Sequence, residues 1–171
     1  MSAVDARVVA NALLDLADAQ GIALSNMQVQ KLVYLTHGWH HVARGEGLVR
    51  NDFEAWEYGP VVKVLYSALR RYGDGKIEGR ALWYDALREK WALAVAPLSV
   101  ETREVLQRVF DRYGTKSAFA LSDLTHERGS PWYDVWFSAA GIGNFGMKIP
   151  EKSIAQYFDR LSRDRGSLLL T

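Results

Sequence analysis

Apolar side chains recur along most of the chain at the 3.6-residue spacing of α-helices. This spacing predicts a first helix over residues 5–19, which Gly21 ends in the C-cap role that glycine favours. A second helix is predicted from a cap at Ser25 or Asn26 to about residue 43. Its apolar face is wide, which predicts a central place in the fold. That face comprises Val29, Leu32, Val33, Thr36, Trp39 and Ala43.

Residues 48–58 follow as an extended or irregular connector, in which Phe53, Trp56 and Tyr58 are predicted anchors. Gly59 and Pro60 close this connector. Proline suits the first turn of a helix, because the N–H group that it lacks would have no partner there. We therefore expect Pro60 at the first position of a third helix that continues to about residue 72.

The middle of the chain carries a mixed pattern. Turn signals occur at Gly73-Asp74-Gly75 and at Gly79, and residues 80–96 fit either a short helix or a hairpin. Helical spacing returns over residues 99–113, 117–126 and 132–139, and a last helix is predicted over 150–165. We predict one mainly α domain over residues 1–171. It has about six helices, an extended connector and, as one option for its middle, a small hairpin.

The composition is that of an ordinary globular domain, with 49% hydrophobic residues and a formal net charge of +1. Its 21 basic and 20 acidic residues are interspersed, which favours neither nucleic acid nor a membrane surface as a partner. The absence of cysteine excludes disulfides, thiolate metal sites and a cysteine nucleophile. No secretory leader pattern or long apolar segment is present, so we expect a cytoplasmic protein.

Four short motifs occur in order along the chain, within residues 27–38, 54–66, 121–132 and 149–158. They contain Gln-Lys-Leu followed by Tyr, then Ala-Trp with Gly-Pro-Val and Tyr, then Thr-His with Pro-Trp, and a closing helix. Together they resemble the Panacea domain of the SocA-like antitoxin family, which includes phage-associated proteins. The motif residues are Gln30, Lys31, Leu32, Tyr34, Trp56, Gly59, Pro60, Tyr66, His126, Pro131 and Trp132.

This resemblance implies an antitoxin whose partner is a protein toxin encoded by a neighbouring gene. Such a domain blocks its toxin by direct contact. In one branch of the family the antitoxin resembles an adaptor that delivers the toxin to an AAA+ protease. The family has no agreed catalytic residues, so the resemblance implies neither a catalytic residue nor a cofactor.

Two groups of polar residues invite a chemical interpretation of their own. His37 and His41 share one helix face at a spacing that can hold a metal, yet the nearest third ligand would be the distant His126. His126 and Glu127 could act as an acid–base pair, but no nucleophile motif accompanies them. We favour structural roles for all of them and predict no metal site. His126 would end a helix, and Trp132 would pack against that end.

Gln30 and Lys31 are polar residues on an otherwise apolar helix. If buried they need hydrogen-bond partners, for which we predict backbone groups of residues 56–60; the alternative is that Lys31 faces a partner. Exposed Trp and Tyr side chains dominate binding hot spots, while buried ones anchor cores. The sequence leaves this choice open for Trp56, Tyr58, Trp132 and Trp136.

Two glycine-bounded segments near the end of the chain complete the pattern. Residues 141–146 are interpreted as a loop, because they lack the strand and the Gly-Lys-Ser/Thr ending of a phosphate-binding loop. After Gly166 the chain ends on an apolar tail that contains Leu168, Leu169 and Leu170. We expect this tail to fold back onto the domain, to contact the toxin or to act as a tag for a protease.

Overall fold

The computed structural model describes residues 3–138 and 146–164 and is mainly α-helical, as the sequence predicts. The helices are α1 (Ala6–Ala19), α2 (Asn26–Arg44), α3 (Lys63–Leu69, followed by a 3-10 turn at Arg70–Tyr72), α4 (Val100–Tyr113), α5 (Ala118–Thr125), α6 (Pro131–Ser138) and α7 (Glu151–Asp164). The strands are β1 (Glu54–Trp56), β2 (Gly59–Val61), β3 (Leu82–Asp85), β4 (Lys90–Leu93) and β5 (Met147–Lys148).

The predicted number of about six helices is therefore one short for the described residues. Pro131 begins α6 as a separate helix after α5. The loop predicted over 141–146, apart from Gly146, and the tail over 168–170 lie outside the described residues. Within the described ranges, no helix combines the length and the apolar character that crossing a bilayer requires.

Helix α2 lies at the centre of the fold, as its wide apolar face predicts. Its start is fixed by a capping box, in which Ser25 and Gln28 each bond the other's backbone N–H group. Every residue from 30 to 40 is buried, and α1, α4, α5 and α7 all pack against the helix. Gly38 permits close packing of α7, since a Cβ atom there would lie 2.2 Å from the Phe158 ring.

The connector folds into a small antiparallel sheet with the strand order β2-β1-β5. Ala55 pairs with Pro60 and Trp56 with Gly59, so the turn between β1 and β2 contains only residues 57 and 58. The prediction that Pro60 starts the third helix is wrong, because Pro60 lies within β2 and α3 begins at Lys63. Gly59, directly before Pro60, adopts a φ of 105°, a backbone conformation that favours glycine.

Residues 82–93 form a hairpin of β3 and β4, which settles the choice that the sequence left open. Its base is held by the buried side chain of Asn11 on α1. Asn11 Nδ2 donates to the carbonyl oxygens of Ala81 and Ala94, each at 2.9 Å, and its Oδ1 accepts from the Ala81 N–H group at 2.8 Å. The register places four apolar residues on one side of the ribbon. This apolar hairpin face consists of Leu82, Tyr84, Trp91 and Leu93.

Candidate functional site

Two polar side chains of α2 hold the outer edge of strand β2. Lys31 Nζ donates to the carbonyl oxygen of Pro60 at 3.1 Å, and the Val62 N–H group donates to Gln30 Oε1 at 3.0 Å. These are backbone partners of the kind that the sequence analysis required for a buried Gln-Lys pair. An edge strand normally offers such groups to another strand. The two side chains therefore close this edge to main-chain pairing at Pro60 and Val62.

Lys31 is enclosed beneath the β1–β2 turn, with only 1% of its surface exposed. Burial disfavours the charged ammonium and lowers the pKa of Lys31 to about 7. Gly59 lies directly over this side chain. A Cβ atom at position 59 would lie 2.7 Å from Lys31 Cε and 2.5 Å from Thr125 Oγ1. The glycine of the motif is thus required both by its φ angle and by the close approach of Lys31.

The polar contacts continue from Gln30 to α3. Gln30 Nε2 donates to Asn26 Oδ1 at 3.3 Å, and Asn26 Nδ2 donates to the backbone oxygen of Tyr66 at 3.3 Å. Gln30 and Asn26 are both buried. One row of hydrogen bonds therefore ties β2 and α3 to the same face of α2.

Helices α5 and α6 hold the β1–β2 turn from the other side. Trp132 is buried, and its Nε1 donates to the backbone oxygen of Trp56 at 2.7 Å. Ser122 Oγ donates to the backbone oxygen of Tyr58, also at 2.7 Å. The His126 ring stacks on Trp132 with the ring centroids 3.7 Å apart.

His126 occupies the C-cap position of α5, and Pro131 is the buried first residue of α6. Burial, reinforced by the charge of Lys31, lowers the pKa of His126. The Nε2 atom of His126 is buried without a hydrogen-bond partner among the described residues. Glu127, its neighbour in the chain, accepts a hydrogen bond from the Tyr157 hydroxyl at 3.3 Å.

An open groove of about 640 Å³ lies between the start of α2, the β1–β2 turn, α3 and the start of α5. We call it the aromatic groove after the four aromatic residues of its lining, Trp56, Tyr58, Tyr66 and Phe119. Three of these are largely exposed: Tyr58 at 49%, Tyr66 at 39% and Phe119 at 68%. The Trp56 and Tyr66 rings lie against each other, with their centroids 4.9 Å apart. A concave surface that combines aromatic and polar groups in this way is typical of a binding site.

The structure places the motif residues in three positions relative to this groove. Four of them contribute to its lining, namely Gln30, Lys31, Trp56 and Tyr66. Five hold the β1–β2 turn or pack beside it, namely Gly59, Pro60, His126, Pro131 and Trp132. Leu32 and Tyr34 lie in the core instead, and the Tyr34 ring makes edge contacts with Phe53 and Phe158.

The sequence did not determine the exposure of two groove residues. It left open whether Tyr58 is a core anchor or an exposed contact, and its ring is half exposed and lies 6.4 Å from that of Phe119. Phe119 received no role at all. Its position two residues after the Ser117 cap places it in the first turn of α5, on the exposed side of that helix. An apolar residue outside the buried stripe of a short helix was the available signal.

A second polar cluster lies at the opposite end of α2. The Glu151 carboxylate of α7 lies 3.0 Å from His37 Nε2 and 2.5 Å from His41 Nε2. The third member of a His37–His41 group is thus Glu151, not His126 as the sequence suggested. Burial opposes ionisation of Glu151, but the hydrogen bonds from both histidines outweigh it and lower its pKa to about 2.

The hydrogen bonds of His37 favour a structural role for this cluster over a metal site. The Val49 N–H group donates to His37 Nδ1 at 3.0 Å, so that nitrogen carries the lone pair. The proton of a neutral ring then resides on Nε2, which faces Glu151. A metal ligand needs its lone pair on the coordinating atom and normally donates from the other nitrogen. The arrangement of His37 is the reverse, so it fits a hydrogen bond that joins α7 to α2.

Comparison with known proteins agrees with the motifs. The family model described as antitoxin SocA-like, Panacea domain, matches residues 29–133. The chain is also similar to Antitoxin SocA of Caulobacter vibrioides (strain NA1000 / CB15N), with 38% identity over 156 residues. That alignment covers 91% of this chain and 82% of the relative. No solved structure matches the chain.

Proposed function

The chain belongs to the SocA-like antitoxin family with a Panacea domain, and we propose on that premise that it neutralises a cognate protein toxin by direct contact through the aromatic groove. The observation that carries this proposal is the position of the family motif. Gln30 and Lys31 lie under the groove, and Trp56 and Tyr66 belong to its lining. The motif thus builds and fixes this surface.

The chemistry of the groove supports protein binding. Tyrosine and tryptophan are enriched at hot spots because they bury a large area at a small cost in conformational entropy. Tyr58 and Trp56 belong to a turn whose backbone oxygens are held by Ser122 and Trp132. A surface that is ordered before binding loses less conformational entropy when a partner docks. We expect this rigid aromatic surface to form the centre of the toxin interface.

We also propose that the function is non-enzymatic. Gln30 Oε1, Lys31 Nζ and Trp132 Nε1 each bond a backbone group of the chain itself. This use of the motif side chains is architectural and supports binding rather than catalysis. A cytoplasmic location, where the toxin would be made, fits the same proposal.

The test is co-expression with the toxin encoded by the neighbouring reading frame, in a strain that lacks the AAA+ protease. We expect restored growth and a stable complex that co-purifies and can be measured by calorimetry. Rescue without any detectable complex would contradict neutralisation by direct contact. The absence of rescue in this strain, with rescue in the strain that has the protease, would favour the adaptor.

The adaptor function is the second candidate, and the hairpin is the observation that favours it. An adaptor needs one surface for the toxin and another for the protease. Tyr84 and Trp91 of the apolar hairpin face are 54% and 66% exposed, and no residue of that face lines the groove. The discriminating measurement is the half-life of the toxin with and without the protease. Dependence on both the protease and an intact hairpin face would support the adaptor.

A further inference from the structure

We propose that the toxin segment seated in the aromatic groove presents a carboxylate to Lys31. This inference rests on the proposed function, since it names the chemistry that the groove recognises. Such a carboxylate would belong to an Asp or Glu side chain, or to the end of the toxin chain, flanked by apolar groups that contact Trp56, Tyr58 and Tyr66. The hydrogen bonds and the charges under the groove both lead to this assignment.

Hydrogen-bonding capacity under the groove is largely used, except at Lys31. Gln30 bonds through its Oε1 and its Nε2, and Asn26 bonds through its Oδ1 and its Nδ2. A lysine ammonium has three donors, and Lys31 makes one hydrogen bond, to Pro60. A buried donor without a partner is costly, so a ligand acceptor at this place gains more than one on the exposed rim. We therefore expect the ligand to place a hydrogen-bond acceptor beside Lys31.

The charges around the groove lead to the same conclusion. Glu57, Asp74 and Arg70 line the groove with both signs, and all three are exposed. Exposed charges of this kind contribute little, typically about 0–1 kcal/mol for a pair. Lys31 is the ionisable group of the lining that is removed from water. The start of α2, which has no acidic residue in its first turn, opens on the groove and also favours an anion.

The form of the acceptor follows from the closed edge of β2. Gln30 and Lys31 occupy the backbone groups of Val62 and Pro60 on that edge. A toxin strand therefore cannot add to β2 at these residues. Recognition by main-chain pairing is excluded there, which favours an acceptor from a side chain or a chain end.

A bound carboxylate would favour the protonated form of Lys31, so binding should take up a proton above neutral pH. The pKa of Lys31 is about 7 without a partner, so the amine is mostly neutral at pH 8. His126, which faces Lys31 from the end of α5, has a lowered pKa and is also neutral at pH 8. The other acidic and basic side chains of the lining are Glu57, Asp74 and Arg70, which lie on the exposed rim. Proton uptake at pH 8 is thus a signature of Lys31.

The first experiment uses 3-phenylpropionate and its neutral analogue 3-phenylpropanol as probes, with binding followed by NMR and calorimetry. We expect the carboxylate to bind at least tenfold more tightly than the alcohol and to shift the signals of Trp56 and Tyr66. The preference should disappear in Lys31→Met and persist in Lys152→Met, which alters an exposed lysine of α7. Equal affinities, no binding of either probe at millimolar concentration, or a preference that survives in Lys31→Met would each overturn the proposal.

A second measurement uses the wild-type protein alone, in case Lys31→Met does not fold. The pKa of Lys31 is followed by NMR as 3-phenylpropionate saturates the groove, and we expect an upward shift of at least one pH unit. An unchanged pKa would overturn the inference. The proposed function is tested separately, because a toxin complex that forms without proton uptake at pH 8 refutes the role of Lys31 and leaves neutralisation by contact intact.

Discussion

Two short antiparallel ribbons are attached to the helices of this protein in different ways. The β1–β2 turn is held from both sides, by Gln30 and Lys31 of α2 and by Ser122 and Trp132 of α5 and α6. The β3–β4 hairpin is held chiefly at its base, where Asn11 bonds both strand ends. Both ribbons expose aromatic side chains, but only the first carries motif residues.

The family motif acts mainly beneath the aromatic groove. Most of the motif side chains around the β1–β2 turn lie beneath the surface and fix the backbone of the turn. Tyr58 and Phe119, the most exposed aromatic residues of the groove, are not motif residues. Besides Asn11, Arg7 Nη1 donates to the Leu82 oxygen of the hairpin at 3.5 Å, and a two-stranded ribbon alone is only marginally stable.

The largest loss of stability is expected when a side chain that holds the β1–β2 turn is removed. Trp132→Ala removes a buried ring, its hydrogen bond to Trp56 and its stacking on His126, and should cost about 3–5 kcal/mol of unfolding free energy. Trp91→Ala is the matched control, since that ring is 66% exposed. Chemical denaturation measures both. If Trp132→Ala is as stable as Trp91→Ala, Trp132 does not stabilise the β1–β2 turn.

The base of the hairpin should be nearly as sensitive. Asn11→Ala leaves the Ala81 N–H group and the Ala94 C=O group without their partner, while the Ala81 C=O group keeps the Ala94 N–H group, and should cost about 3 kcal/mol. Hydrogen exchange should also become faster over residues 82–93. Asn51→Ala, which removes one bond to the Ala6 N–H group, is the control and should cost about 1 kcal/mol. Unchanged exchange in the hairpin would show that Asn11 is not its anchor.

Because Lys31 is buried beneath the β1–β2 turn, the free energy of unfolding should depend on pH. The pKa of Lys31 is about 7 in the folded state and about 10.4 in an unfolded chain. Between these values the unfolded state binds more protons, so stability rises with pH, by about 2 kcal/mol between pH 7 and 9. Denaturation at several pH values checks this, and Lys31→Met should abolish the rise. If the free energy of unfolding of the wild type does not change with pH, or if its rise persists in Lys31→Met, the pKa of Lys31 is not lowered by burial.

The smallest effect is expected at the apolar hairpin face. Trp91→Ser removes a cross-strand contact with Tyr84 at 5.8 Å, and such pairs contribute about 0.2–1 kcal/mol. We expect a loss of stability below about 1 kcal/mol and an unchanged affinity for the toxin, measured by denaturation and calorimetry. A large loss of affinity would move the toxin interface to the hairpin.

The sequence predicted this fold well where one periodic pattern determined the structure. The apolar stripe of α2 and the helical spacing that begins near residues 99 and 117 placed helices correctly, because these signals are local. Pro60 was misplaced since its conformation depends on Lys31 and Gln30, which lie about 30 residues earlier. The need of those two side chains for backbone partners could nevertheless be inferred from their place on an apolar face.

The candidate site was harder to predict because exposure is a tertiary property. The motif identified the family and marked the residues under the groove. Its aromatic surface could not be foreseen, since Tyr58 and Trp132 both lie beside a glycine and proline turn signal, yet Tyr58 is half exposed and Trp132 is buried. The partnership of His37 and His41 with Glu151 was missed for the same reason, as 110 residues separate His41 from Glu151.

The measurement that tests the central claim most directly is the affinity of the toxin for two matched double variants. Tyr58→Ser with Phe119→Ser alters the exposed residues of the groove, and Tyr84→Ser with Trp91→Ser alters the hairpin face. If the aromatic groove is the toxin-binding surface, the groove variant should bind at least about thirtyfold more weakly at an unchanged melting temperature, which corresponds to a loss of about 2 kcal/mol at a hot spot. The hairpin variant should bind as the wild type does. A groove variant with wild-type affinity would contradict the claim.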